Sequence, residues 1–133
     1  MPERKAKTEA ALQDVRRLLA APVPFVCVEN PRGCIGTKIR KADQIIQPYE
    51  FGDDASKETH LWLRGLPALI KYPDKRYAGR KVVYEGKERE RWGNQTDSGQ
   101  NRLGPSEERA TERAKTYPGI AAAFAENWGP LLS

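Results

Sequence analysis

Leu12, Val15, Leu18 and Leu19 recur at three- and four-residue spacing, with Gln13, Asp14, Arg16 and Arg17 between them. That period predicts an amphipathic helix over residues 8–20. Thr8 suits its N-cap, and Pro22 and Pro24 close it. The pattern then changes. Phe25-Val26-Cys27-Val28 is a continuous apolar run containing two β-branched valines, which predicts a strand buried on both faces, as in a parallel sheet. Glu29-Asn30-Pro31 stops it. A helix, a short proline-bounded turn and a buried strand form one unit of an α/β protein.

Ile45-Ile46-Gln47-Pro48 and Thr59 to Leu66 are further strand candidates, separated by the polar segment Gly52 to Glu58. Residues 67–104 are rich in Pro, Gly, Lys and Arg and show little periodicity, which predicts an extended loop or small irregular lobe. Helical signals return at the C-terminal end. Ser106 serves as a cap after Pro105, with Glu107 and Glu108 at the positive end of the helix dipole. A second helix is expected from Pro118, with Ile120, Phe124 and Trp128 on one face and Gly129 at its end. The expected organisation is a single domain over residues 1–133. Within it, 8–66 form an αβ half, 67–104 a basic lobe and 105–129 the C-terminal helices.

Composition narrows the class. Of 133 residues, 38% are apolar and 31% charged, a balance that fits a globular domain with a modest core and argues against wholesale disorder. No run of about 20 apolar residues exists to span a bilayer. Met1-Pro2-Glu3-Arg4-Lys5 has no apolar stretch behind it, so a secretory leader is not expected and a cytoplasmic location is. Two cysteines, Cys27 and Cys34, and a single histidine, His60, are too few for a disulfide scaffold or for a four-ligand zinc site within one copy of the chain. No metal site is expected. His60 falls in the predicted strand Thr59-His60-Leu61-Trp62-Leu63, a poor place for a catalytic base. Cys34 lies among Arg32 and Lys38 and is the one candidate for a reactive thiol.

The net charge is +5, and the excess is concentrated. Lys71, Lys75, Arg76, Arg80, Lys81, Lys87, Arg89 and Arg91 face only Asp74, Glu85, Glu88 and Glu90 over the same stretch, and Tyr72, Tyr77, Tyr84 and Trp92 interleave with them. Cations mixed with aromatics suit phosphate contact with some base stacking; on charge alone, a solvated loop face accounts for them equally well. Glu29 carries a similar choice. A carboxylate at the carboxyl end of a buried strand, beside Val26 and Val28, is placed to act as a proton donor. It is equally placed as part of a strand-ending Asn-Pro turn.

Several blocks in one order give a further clue. Val23-Pro24-Phe25-Val26-Cys27-Val28-Glu29-Asn30-Pro31 resembles a segment of phage and prophage proteins classed as DNA cytosine-5 methyltransferases. Asp43-Gln44-Ile45-Ile46-Gln47-Pro48-Tyr49-Glu50-Phe51-Gly52 resembles their glutamine-proline-aromatic stretch, and Lys57 to Pro67 the block after it. Arg91-Trp92-Gly93-Asn94-Gln95-Thr96, Ser98 to Ser106 and Lys115 to Ala121 follow. The resemblance runs from about residue 8 onward.

It implies a partial Rossmann-like methyltransferase sheet with flanking helices, and methyl transfer from S-adenosylmethionine to carbon 5 of cytosine in DNA. By position Glu29 matches the glutamate that contacts the base ring, and Asn30 would help hold its loop. Arg76, Arg80, Lys81, Arg91, Trp92, Asn94 and Gln95 would contact DNA. The family also has a cofactor-binding glycine turn and a proline-cysteine nucleophile, and this sequence contains neither a Gly-x-Gly nor a Pro-Cys. Isolated, the chain is therefore expected to be inactive. It resembles the C-terminal portion of such an enzyme, truncated before the nucleophile, a phage or prophage protein in a bacterial host. One expectation is a subunit or fragment that contributes Glu29 and DNA contacts to methylation, with a complementary chain holding cofactor and nucleophile. The other is a non-enzymatic DNA-binding module. Open sheet edges further suggest an oligomer, either a homodimer or a pairing with that complementary chain.

Overall fold

A computed structural model describes residues 2–31, 38–103 and 116–132. Its elements are helix α1 (Pro2–Ala20), strands β1 (Val26–Pro31), β2 (Gln44–Ile46), β3 (Thr59–Arg64), β4 (Arg80–Tyr84) and β5 (Lys87–Arg91), and helix α2 (Pro118–Trp128). Single 3₁₀ turns occupy Pro48–Phe51, Pro73–Lys75 and Gly129–Leu132. The class is mixed α/β. Cys34 and the helix start expected at Ser106 lie outside the described residues.

The described residues form two compact units that interleave along the chain rather than following the 8–66, 67–104 and 105–129 division. The first takes residues up to Ile46 and Glu58–Ala68; the second takes Gln47–Lys57 and everything from Leu69.

In the first unit the strands run in the order β1-β3-β2, and both pairings are antiparallel. The expected parallel strand, buried on both faces, is not what β1 is. Val26, Cys27 and Val28 are only half-buried, because β1 is an edge strand. The central strand is β3, where Thr59, Leu61 and Trp62 are buried. Apolar runs at an edge and at a centre look alike in sequence. The edge position also explains why β1 continues through Asn30 to Pro31, since an edge strand tolerates a residue that cannot donate to the ladder.

Helix α1 starts six residues before the expected cap. Pro2 fits a first helical position, and Glu3, Ala6 and Lys7 are good helix formers. The face predicted by the apolar period is largely the one that packs: Leu12 and Trp62 form the core, with Val15, Leu19, Val28, Ile39 and Ala42 against it. Leu18 instead points to solvent. The Trp62 indole N–H donates to the Arg40 carbonyl at 2.7 Å, so the polar edge of this buried ring is satisfied.

Arg64, at the end of β3, finishes the helix. Its guanidinium donates to the carbonyl oxygen of Leu19 (2.6 Å), which the helix end leaves without an intrahelical partner, and to those of Ala21 and Val23 in the segment just beyond it. The next residue must be glycine. Gly65 has φ +74°, and a Cβ there would stand 2.1 Å from the Pro24 carbonyl oxygen.

In the second unit β4 and β5 form an antiparallel hairpin inside the stretch expected to be irregular. Glu85 (φ 51°) and Gly86 (φ 75°) make its two-residue turn, both in the left-handed region, as such hairpins require. Helix α2 begins at Pro118 as expected and gives way after Trp128 to the 3₁₀ turn at Gly129. Its first turn docks on the segment after Pro48. The Gly119 N–H donates to Asp53 Oδ2 at 2.8 Å, and a Cβ at Gly119 would meet the Phe51 carbonyl oxygen at 2.1 Å.

Removing the Arg64 fork takes a donor from three carbonyls at once, of which Ala21 keeps its bond from the Val23 N–H. Arg64→Ala should therefore lower stability by about 2 kcal/mol, the scale of a few charge-assisted hydrogen bonds. Urea titration followed by circular dichroism checks this, and an unchanged midpoint would show that solvent caps α1 equally well.

Candidate nucleic-acid interface

The second unit is built around an aromatic pair. Tyr49 and Trp92 stack with ring centroids 3.8 Å apart and planes 9° from parallel. The Tyr77 N–H donates to the Tyr49 carbonyl at 2.8 Å, and the Trp92 indole N–H donates to the Tyr77 carbonyl at 2.9 Å. Arg76 lies over both rings, 5.0 Å from Tyr49 and 5.5 Å from Trp92, a favourable cation–π position. Its two terminal nitrogens grip the Glu90 carboxylate at 2.6 and 3.1 Å, and Glu90 also accepts from the Gly79 N–H at 2.9 Å. Hydrogen bonding to Arg76 holds the Glu90 carboxyl below its ordinary range, and the same contact raises Arg76. Burial and the neighbouring Glu50 raise the Tyr49 phenol.

Several residues expected to touch DNA are thus spent on the scaffold. Trp92 is 6% exposed, and Arg76 is clamped by Glu90. Arg80 donates to the carbonyls of Trp92 (2.8 Å) and Gln95 (2.7 Å) and reaches Asp97 at 3.3 Å. Arg91 donates to the carbonyls of Asp97 and Glu90. The Asn94 amide exchanges two bonds with the Ser56 backbone, at 3.0 and 2.8 Å. Gln95 accepts from the Trp92 N–H and donates to the Gly99 carbonyl. Of the seven, Lys81 is the most open, pairing loosely with Glu88 at 3.4 Å.

The hairpin register sorts charge by face, because residues directly opposite on antiparallel strands share a face. Arg80 pairs with Arg91, Val82 with Arg89 and Tyr84 with Lys87, while Lys81 pairs with Glu90 and Val83 with Glu88. One face therefore carries four cations, Tyr84 and Val82 with no acid; the other carries both glutamates, Lys81 and the 76%-exposed Val83. Lys87 and Arg89 are the cations at the turn end. Arg89 Nε is buried and has no hydrogen-bond partner among the described residues. Sequence reasoning named neither as a site residue, yet counting alternate positions from the Glu-Gly turn would have found both.

A cavity of about 270 Å³ lies beside this scaffold, lined by residues 56–57, 93–94 and 101–103 and by Tyr117. Its frame is rigid. The Arg102 N–H donates to the Asn94 carbonyl at 2.9 Å, the Leu103 N–H to Asn101 Oδ1 at 2.8 Å, and Gln95 and Asn101 form a β-bridge.

Glu29 and Asn30 sit in the first unit, across the ladder from Leu61 and His60. Glu29 is exposed on the edge strand. Burial, together with the neighbouring Glu29 charge, pushes the Cys27 thiol up to about 11, which disfavours its thiolate at neutral pH. His60 Nε2 pairs with Glu58 at 2.9 Å. No group of three or more metal-ligating side chains occurs among the described residues, and none of their helices is long and apolar enough to cross a membrane.

Comparison with protein-family models, curated proteins and solved structures finds no match to this chain.

Because Glu90 is held below its ordinary value of 4.5, its ion pair stabilises the fold above that pH and is lost as pH falls through the depressed value. Glu90→Gln should melt several degrees below the parent at pH 7, and the gap should close in acid. A gap that stays constant down to pH about 3 would show that the carboxylate's charge plays no part.

Proposed function

We propose that this chain is the DNA-contacting C-terminal portion of a phage-type DNA cytosine-5 methyltransferase. One observation carries the reading. Residues from four of the sequence blocks that resemble that family line one cavity, Lys57, Gly93 and Asn94, Asn101 to Leu103, and Tyr117, and the first of these lies more than 30 residues from the others. A fifth block supplies Tyr49, whose ring stacks on Trp92 next to Gly93. Such convergence is what a shared site would require.

In this reading the cation-only face of the hairpin, through Lys87 and Arg89, meets the phosphate backbone, while Arg76, Arg80 and Trp92 hold its shape. Glu29 would act on the base ring. The described residues offer no glycine turn for S-adenosylmethionine and the sequence no Pro-Cys nucleophile, so these 133 residues fit neither group, and methyl transfer needs both from elsewhere. A non-enzymatic DNA-binding module shares the hairpin and differs only in having no use for Glu29.

Affinity for duplex DNA should fall steeply between about 50 and about 300 mM salt, with a log–log slope of roughly −3 to −4 for three or four phosphates. Lys87→Glu with Arg89→Glu should flatten the slope by roughly 2. Fluorescence anisotropy measures both. Equal binding at both salts would make the hairpin a solvated surface and end this reading. Glu29→Gln should leave DNA affinity and melting temperature unchanged but abolish methylation when a chain carrying the nucleophile and cofactor site is added. Undiminished methylation by that variant would leave the binding-module reading in its place.

A further inference from the structure

We infer that the outer edge of β4 is a self-association surface, where a second copy of this chain adds its own β4 antiparallel across a two-fold axis at Val82. The inference stands apart from the DNA reading, and its tests use no DNA.

The hairpin decides which backbone groups are open. Residues flanking a two-residue turn exchange both ladder bonds, and exchanging pairs alternate along antiparallel strands. Tyr84 and Lys87 flank the turn, so Val82 with Arg89 and Arg80 with Arg91 also exchange bonds. The N–H and C=O groups of Lys81 and Val83 then point outward from β4, and those of Glu88 and Glu90 outward from β5. The Glu90 carbonyl is taken by the Arg91 side chain at 3.1 Å. The outward groups of Lys81 and Val83 have no bond among the described residues, and such a row is a template for another strand.

Symmetry closes one edge and leaves the other. A two-fold axis that joins two copies edge to edge stands perpendicular to the sheet. Each residue therefore meets one from its own face, an even number of positions away along the strand. In β5 that rule sets Glu88 and Glu90 against glutamates, and Lys87, Arg89 and Arg91 against cations, in every register. Like charges directly opposite are destabilising, so β5 is protected from pairing with itself. β4 is not. With the axis at Val82, Lys81 meets the partner's Val83, Val82 meets the partner's Val82 and Arg80 meets the partner's Tyr84, with no like charges opposed. Both Lys81–Val83 pairs use the outward groups and exchange two backbone bonds each. An axis at Lys81 would oppose two lysines, and one at Val83 would set Lys81 against the turn residue Glu85 and leave a single bonded pair. Val83 is the most exposed large apolar side chain among the described residues. In the pairing at Val82 the apolar stem of the partner's Lys81 lies beside it.

A strand pairing this short falls at the weak end of protein interfaces. Sedimentation velocity should show monomer at about 10 μM and mostly dimer by about 500 μM, in about 300 mM salt to screen the net charge of +5 on each copy. Val83→Lys opposes lysines across the axis but faces Glu88 within the hairpin. It should stay monomeric throughout, with an undiminished melting temperature. Adding Lys81→Glu to that variant makes each opposed pair Glu–Lys and should restore the dimer; melting curves confirm that it is folded. For the register, Val82→Cys should form an interchain disulfide at least about tenfold faster than Val83→Cys, because a Cα separation of about 4.5 Å at a non-bonded pair suits the bridge. The parent chain under the same oxidant gives the background from Cys27 and Cys34. A parent that stays monomeric to about 500 μM would overturn the proposal and leave the β4 edge to a foreign strand or to solvent. Dimerisation of Val83→Lys as strong as the parent's, a folded double variant that stays monomeric, or equal crosslinking from positions 82 and 83 would each overturn it too.

Discussion

Two flat rings, Tyr49 and Trp92, fix the segment around Pro48–Phe51 to the end of β5. Stacked rings alone can slide over one another. Here the Tyr77 backbone closes a triangle, donating to the Tyr49 carbonyl and accepting from the Trp92 indole, so the stack has one register. Arg76 lies across the rings and Glu90 clamps it from β5. Around this knot everything else in the unit takes its place. The Arg80 guanidinium and the Gln95 amide close the loop that follows Trp92, and Asn94, held to Ser56, forms one wall of the cavity.

The knot has a consequence for electrostatics. A sum over the sequence treats the cations between Lys71 and Trp92 as one basic patch. In the folded unit they divide into those that bind carbonyls or carboxylates of the protein and those that do not. Arg76, Arg80 and Arg91 belong to the first group, as do Lys71, Lys75 and Lys81, and among the described residues Lys87 and Arg89 belong to the second. Arginine's planar fork suits the first task, since it can satisfy several oxygens at once. A carbonyl-bound guanidinium keeps its charge, but its donors are already taken, so fewer side chains have donors to offer outside the protein than net charge suggests.

Much of the first unit was legible from pattern. The apolar spacing of Leu12, Val15 and Leu19 marked the buried face of α1, and the runs at Phe25, Ile45 and Thr59 each became a strand. Strand direction was not legible, because Val26-Cys27-Val28 reads the same at an antiparallel edge as at a parallel centre. The helix-ending role of Arg64 was hidden as well: its partners are backbone carbonyls far away in sequence, and no side-chain pattern announces them. In the second unit the heavy charge of Lys87-Glu88-Arg89-Glu90-Arg91 concealed a strand whose alternation separates acid from base rather than polar from apolar. The candidate site was legible as residue types but not as roles. Trp92, Asn94 and Gln95 were marked out by their company, yet only the fold shows that they build the site's frame.

The chain passes back and forth between its two units, leaving the first after Ile46, returning at Glu58 and leaving again after Ala68. Neither unit is a contiguous stretch, so a single cut cannot release one intact. During synthesis, β1 and β2 stay without their central partner until β3 has emerged, and Tyr49 waits longer still for Trp92. Pairings of such sequence separation carry a loop-closure cost before any contact repays it. Assembly of this small protein is therefore set by when its distant segments meet, and a nascent chain stopped between Ala68 and Trp92 would hold every residue of the first unit but only a half-built second one, with Tyr49 still waiting for its partner ring.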